Sequence, residues 1–425
     1  MMRRKAGHRT RKSSTKLTNL TIQNLVDAAA RRGGGTVKVR AGIYHMHDAL
    51  HLRSGVHLVG EPGAVLKKVP SVSSSLVDCL GFGHYEFRVA EPDRFRVGMG
   101  VHLLDDNAGG FYTTVATITD QIGDTFFINR PFSHDYGFHF NGRAVSVYSL
   151  IEGDGVQDVS VTGLSLDGNS AKESFQLNGC RGGGIFLIMS HRVSIRNVEI
   201  HHYRGDALSF QQCSDIRVES CEIHHNTASG LHPGSGSVRY VMRGNHLHDN
   251  DGYGIFYCLR TTHSICEENL IHHNHLAGIS IGERDTDHLI RSNSFINNAG
   301  PGIDFRVPNR QSGDRTLVLN NTLRNNCTRF GAAEIVIPRG LANIHLAENI
   351  IEPAGGVASA VSVESGAREI SAVNNQIAGH PQQSRDFPAG LVKTSTPTRL
   401  PSVGPAALAL DGARHLRVGT LRPWE

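Results

Sequence analysis

The chain has 425 residues, and its 39% hydrophobic content is enough for a long, narrow core, yet no run of about 18 apolar residues could cross a bilayer as a helix. The formal charge of +4 is concentrated at one end: residues 1–16, MMRRKAGHRTRKSSTK, hold seven Lys and Arg and no acid, so the rest of the chain is mildly acidic. That distribution predicts a basic disordered tail over residues 1–17 and argues against a nucleic-acid partner.

The tail lacks the apolar stretch of a secretory signal, so the compartment stays open between cytoplasmic and exported with the signal removed. Neither a membrane nor a nucleic-acid partner is expected. Seven cysteines without a CxxC pair give no disulfide framework and no zinc motif.

In chain order, NLTIQNLVDAAARR predicts a helix from about Ile22, with Thr21 as N-cap and Gly33–Gly35 as its stop. The next stretch, GTVKVRAGIYHMHDALHLRSGVHLVGEPGAVLKKV, reads as short strands separated by glycine turns. Residues 80–146 are strand-rich with irregular turns and predict a small β insertion beside the first strands. Regular strands resume near residue 150. The loop DGNSAKESFQLNGCRGGG (167–184), carrying Lys172, Glu173 and Arg181, is expected to form a wall over its neighbours, with Asp167 as a turn former.

From residue 193 the chain repeats. VSIRNVEIHHYRGDALSFQQC, IRVESCEIHHNTASGLHPGSG, YVMRGNHLHDNDGYGIFYCLR, SICEENLIHHNHLAGISIGER and LIRSNSFINNAGPGIDFRV align column by column. Ile200, Ile223, Leu247, Ile271 and Phe295 share one apolar column, and Leu208, Leu231, Ile255, Ile279 and Ile303 another. Period-2 alternation inside a repeat of 23–24 residues means short strands stacked coil on coil. The fold class is therefore all-β, a right-handed parallel β-helix over residues 18–380, with an N-terminal capping helix that covers exposed core and strand edges. Residues 381–425 are expected to be a tail packed on the outside.

Asn226, Asn250, Asn274 and Asn298 fall at one turn position, where Asn tolerates a left-handed backbone and can hydrogen-bond to its stacked copy. The histidines before them (His201, His224, His248, His272; His202, His225, His273) form ladders beside that stack. A metal array and a solvated polar turn both fit such a ladder. Because a straight ladder splays its ligands, the expectation is architecture and no metal site.

The helix with GGGTVKVRAGIY…LRSGVHLVG, the LDGN ending a strand, and the N.I…N..GI coils resemble the pectate-lyase-like superfamily of right-handed parallel β-helices, over roughly residues 18–375. That superfamily includes polysaccharide lyases, polygalacturonase-type hydrolases, alginate epimerases, tailspikes and carbohydrate-binding proteins, so the resemblance implies a poly- or oligosaccharide partner and leaves the reaction open. The Asn-Thr-Asp, Asp-pair and Gly-His-Gly motifs of polygalacturonase-like hydrolases do not stand in the coils. Where alginate epimerases carry Tyr-Gly-Phe-Asp-Pro-His, this chain has SGLHPGS (229–235), with His232 in place of their Asp and Gly234 in place of their His.

If the column from Leu208 to Ile303 points inward, alternation turns Ser209/Gln211, His232/Gly234, Phe256/Cys258, Ser280/Gly282 and Asp304/Arg306 outward. Such a row is a flat trough suited to a sugar chain, with Phe256 as a platform. The leading expectation is β-elimination on a uronate-containing polysaccharide. Arg260 and Arg284 would neutralise the carboxylate, His232 would be the base, and Tyr253 or Asp304 would assist. Glu283, Arg306, Ser209 and Gln211 would bind substrate. Calcium often replaces arginine in such lyases, but no outward cluster of acids argues for it here. The rivals are a glycoside hydrolase pairing Asp304 with Glu283 or Asp206, and a non-catalytic carbohydrate-binding or structural β-helix.

Overall fold

The computed structural model describes residues 17–307, 313–353 and 359–377. The basic segment 1–16 and the tail 381–425 lie outside the described residues. Three parallel sheets form the walls of a solenoid. The first has 11 strands, from Gly35–Val39 to Arg368–Val373; the second has 11, from Gly42–Met46 to Gln376–Ile377; the third has 10, from Leu50–His51 to Ser359–Val363.

The registers are those the apolar columns demand. Ile200 pairs with Ile223, then Leu247, Ile271 and Phe295 in the second sheet. Leu208 pairs with Leu231, then Ile255, Ile279 and Ile303 in the third. All ten side chains are fully buried, and each contributes on the order of 1.5–3 kcal/mol by leaving water.

Two internal asparagine ladders tie the coils together. In one, the side-chain amide of Asn226 donates to Asn250 (2.9 Å), Asn250 to Asn274 (2.9 Å), Asn274 to Asn298 (3.0 Å) and Asn298 to Asn326 (2.8 Å). The last amide, Asn326, donates to the buried Glu334. A second ladder, not singled out from sequence, runs Asn245–Asn269–Asn293–Asn321–Asn349–Asn375.

One detail of the turn differs from expectation. The left-handed residue is not the ladder asparagine but the one before it: His225 (φ 55°), Asp249 (51°), His273 (53°) and Asn297 (54°). That reversal aims the following amide into the core, where it must find partners.

The helix spans Asn19–Arg31, three residues earlier than expected, and its N-cap is Thr18. Thr21 serves instead as the third helical residue, its hydroxyl accepting the Thr18 N–H at 3.1 Å. Ile22, Val26 and Ala29 are buried over the open end of the solenoid. The stop is as the glycines require: Gly33, Gly34 and Gly35 all have positive φ, and a Cβ on Gly34 would collide with the Gly55 carbonyl.

A six-stranded antiparallel sheet interrupts the coils. It begins at Ser73–Ser75, ahead of the expected residue 80, because that strand pairs with Arg143–Val145 at the sheet's other end in sequence. Phe87, Phe95, Phe126, Phe132 and Tyr136 fill its own core. A separate cluster of Leu104, Val147, Tyr148 and Leu177 joins it to the 167–184 loop. The same loop is held by the buried Lys68–Glu173 ion pair (3.0 Å) and by Arg181, whose guanidinium donates to the Phe111 carbonyl (2.9 Å). Asp167 is a turn former, accepting the Asn169 N–H at 2.9 Å.

Candidate functional site

Alternation along the third sheet sets one outward row: Glu152, Phe186, Ser209, His232, Phe256, Ser280 and Asp304 on successive coils. Bridging pairs place Cys258 beside Gly234 in the adjacent row, which also carries Gln211.

The row is not the open trough expected from sequence. The 167–184 loop lies across its first coils, and the Gly179 carbonyl accepts hydrogen bonds from Ser209 Oγ (2.6 Å) and Gln211 Nε2 (3.3 Å). Ser209 and Gln211 are consequently buried and committed to the loop, not presented to a ligand.

Under the same loop sits a buried ion pair. His232 Nδ1–H donates to Asp206 Oδ2 at 2.7 Å, and Asp206 Oδ1 accepts the Ser229 N–H at 2.7 Å. A Cβ on Gly179 would collide with both members, so glycine is what lets the loop close over them. Burial pulls the His232 pKa down, but the charge and hydrogen bond of Asp206, with Cys258 beside the ring, carry it up to about 9. A group that keeps its proton to that pH is a cation or an acid near neutrality, not the base expected of it. Its Nε2 is buried and makes no hydrogen bond of acceptable geometry. The neighbouring thiol is only a weak acceptor.

Downstream the row is half-buried at Phe256 and Asp304 and buried at Ser280. The Phe256 ring meets His232 edge-on at 5.1 Å and Tyr253 stacks on it at 5.0 Å. The Arg306 guanidinium lies 4.4 Å over Phe256 while donating to Ser280 Oγ (2.7 Å) and the Tyr257 carbonyl (2.7 Å). His232, Tyr253, Phe256 and Arg306 thus form one cluster. Asp304 does not join His232: three rungs separate them, roughly 14 Å at about 4.8 Å per coil. Burial raises the Asp304 pKa, opposed by Arg306.

The other expected residues stand at the margin. Arg260 and Arg284 both lie in turns beyond the third-sheet strands Ile255–Phe256 and Ile279–Ile281, at positive φ. Arg260 is exposed, its N–H donating to the Glu283 carbonyl (3.0 Å), and Arg284 pairs with Glu283 at 3.3 Å. The anion beside Arg284 is therefore Glu283. Of the two hydrolase pairs, Asp304 with Asp206 fails, because Asp206 is held by His232 and lies about four rungs away, beyond the roughly 5–10 Å such chemistry allows. Glu283 lies on the coil next to Asp304, three residues past its rung partner Ser280.

A second group was missed from sequence. A cleft of about 340 Å³ between the helix, the first coils and the insertion is lined by Asp48, His51, Thr117, Arg130 and Glu152. His51 Nε2 is 3.2 Å from Asp48 and its Nδ1 3.5 Å from Glu152, which also pairs with Arg130 (2.8 Å). His51 and Glu152 are neighbours in the outward row. About a hundred residues of sequence, including the insertion, separate them, and only the Leu50–His51 strand hints at the pairing. Its groups satisfy one another, whereas in the trough His232 Nε2 has only the Cys258 thiol beside it.

The histidine ladder is straight, its rings stacking at 5.0–5.4 Å. Beside it, His246 Nδ1 and His248 Nε2 both lie 2.9 Å from Glu222 Oε1.

This is the architecture of a parallel β-helix with a partly covered trough along one wall. Residues 125–271 and 183–387 match the family described as right handed beta helix region, which together take in more than half of the chain. The chain belongs to that family, and the solenoid is right-handed. No curated protein matches the sequence.

Among solved structures, the A-module of the Azotobacter vinelandii mannuronan C-5 epimerase AlgE4 is similar at 16% identity and TM-score 0.55, covering 85% of this chain and 91% of that one. The AlgE6 A-module of the same organism is similar at 15% identity and TM-score 0.51, over 85% and 95%. The Dettilon tailspike protein is similar at 12% identity and TM-score 0.52, over 86% and 59%. At these identities the likeness is one of fold.

Proposed function

We propose that this protein acts on an acidic, uronate-containing polysaccharide by β-elimination, at the His232–Tyr253–Phe256–Arg306 cluster. The observation that carries the reading is the buried Asp206–His232 pair, whose Nε2 has only the Cys258 thiol beside it, next to the Tyr253–Phe256–Arg306 stack. Elimination needs a cation for the uronate carboxylate, a base at C5 and an acid at the leaving oxygen. Arg306 supplies the cation in place of Arg260 and Arg284. Tyr253, on the ring stacked with Phe256, acts as phenolate and becomes the phenol as it takes the C5 proton. His232, protonated through its pairing with Asp206, donates to the leaving oxygen once substrate displaces the Cys258 thiol from its buried Nε2.

The test is a panel of uronate polymers, mannuronan among them because it is named in two of the similar structures. New ultraviolet absorbance from unsaturated ends, lost in Tyr253→Phe and His232→Gln, is the expected result. Reducing ends without that absorbance would replace the reading by hydrolysis through Glu283 and Asp304. Silence in both assays, with polymer still bound, would make the protein a carbohydrate binder.

A further inference from the structure

The second sheet carries a different chemistry on its outward face. Register places Glu199, Glu222 and His246 in one column and His201, His224, His248 and His272 in the column two residues on. Side chains two apart on a strand share a face, and the coil spacing brings neighbouring rungs within reach. Glu222 of one coil therefore faces both His246 and His248 of the next.

We infer that Glu222, His246 and His248 bind a divalent transition-metal ion of the zinc class, with Asp249 and His272 orienting the imidazoles. Three observations carry this. His246 Nδ1 and His248 Nε2 each lie 2.9 Å from Glu222 Oε1, so three ligand atoms from two coils lie within 4.8 Å of one another. Ligands bound at about 2.0–2.2 Å in a tetrahedral set stand roughly 3.3 Å apart, so small side-chain rotations complete the geometry.

The opposite nitrogen of each imidazole is already engaged. His248 Nδ1 is 2.7 Å from Asp249 Oδ2, and His246 Nε2 is 2.6 Å from His272 Nε2. A carboxylate that accepts the far N–H fixes the tautomer and aims the other lone pair at the ion. With Nδ1–H of His248 given to Asp249, its Nε2 lone pair faces the Glu222 carboxylate, an arrangement of two acceptors that a cation resolves.

The third observation is access. The Glu222 side chain is 44% exposed and that of His246 35%, so an ion can enter and a coordination position stays open to water. Two imidazoles with one carboxylate suit zinc, cobalt or nickel and are poor ligands for calcium or magnesium. A second trio, His225, His248 and Asp249, shares His248. It uses Asp249 as a ligand and so gives up the carboxylate that orients His248.

The experiment uses the full chain without an affinity tag, titrated with Co²⁺ and followed by its d–d absorption, then with Zn²⁺ against a chromophoric chelator. One equivalent should bind with the bands of a low-coordinate nitrogen–oxygen site. Glu222→Gln, His246→Gln and His248→Gln should each weaken binding at least tenfold, and Asp249→Asn about tenfold, while His225→Gln leaves it unchanged. All five positions are surface turns or strand faces, and circular dichroism melts check that each variant folds. Absence of binding in the native protein, or equal binding in the Glu222 and His248 variants, overturns the site. Loss in His225→Gln with retention in Glu222→Gln overturns it in favour of the second trio. Uronate-polymer activity is not the readout, so the two readings fail separately.

Discussion

At the scale of single residues, the consequential arrangement is a histidine held charged inside the protein. Asp206 lifts the His232 pKa from its ordinary 6.5 to about 9 against the opposing effect of burial. A folded-state pKa above the unfolded value stabilises the fold fully below the unfolded pKa, and this contribution fades as pH rises through the folded one. The window is therefore roughly pH 6.5 to 9, with on the order of 3 kcal/mol at stake. Urea denaturation of native protein and Asp206→Asn should show a gap that is widest near about pH 6 and narrows by that order above about pH 9. A gap independent of pH would mean that His232 is neutral in the fold. Tyr253→Phe gives a second check at this scale: it removes one oxygen while keeping the ring stacked on Phe256. Turnover should fall by about 10²-fold or more with polymer affinity nearly unchanged, as expected of a proton-transfer group. Equal losses in both would make the tyrosine a binding residue.

At the scale of the strand and the turn, the buried amides decide more than the surface histidines. Asn274 donates to Asn298 and to the Leu247 carbonyl, and accepts from both the side chain and backbone of Asn250. Asn274→Ala leaves several buried groups unmatched and should cost about 2–4 kcal/mol in chemical denaturation, since each orphan costs about 1–3 kcal/mol. A cost near zero would mean that water replaces the amide. Much of this level was legible, because a 24-residue period fixes register: a one-residue slip would bury Asp304 and expose Ile303. The same period also carried the second asparagine ladder, which a column-by-column reading of Asn245, Asn269 and Asn293 could have found. What could not be read is how loops close over strands. The contact that takes Ser209 and Gln211 out of the site is made by the backbone carbonyl of Gly179, an atom every residue has. The Arg306 seat was half legible. Arg306 lies one coil beyond Gly282, and a Cβ there would collide with its guanidinium; nothing in the sequence shows that the side chain folds back over Phe256. Gly282→Ala should unseat Arg306 and lower activity on uronate polymers together with Arg306→Ala, in a non-additive pair. Strict additivity would show that the glycine acts elsewhere.

At the scale of the whole molecule, a solenoid is held by contacts between neighbouring coils, so its stability is nearly a sum along one dimension and its ends are the weak points. The N-terminal end is closed by the helix Asn19–Arg31, whose Ile22, Val26 and Ala29 lie in the same continuous core as the coil residues. The helix also reaches the third sheet, where Gln23 receives the His51 N–H at 2.8 Å and Arg53 pairs with Asp27 at 2.9 Å. Val26→Asp puts an unpaired carboxylate into that core and should detach the cap, at a cost of more than about 3 kcal/mol to the first coils. In a one-dimensional array the damage stays local. Hydrogen exchange should therefore quicken in the strands Gly35–Val39, Gly42–Met46 and Val56–Gly60, which lie under or next to the helix. Exchange in Leu208–Gln211, Leu231–Gly234 and Ile279–Ile281 should remain at its native rate, because their neighbours on both sides, and the asparagine ladders through them, are untouched. Uniform acceleration along the chain would show instead that the solenoid opens as a single cooperative body and that the cap stabilises every coil equally.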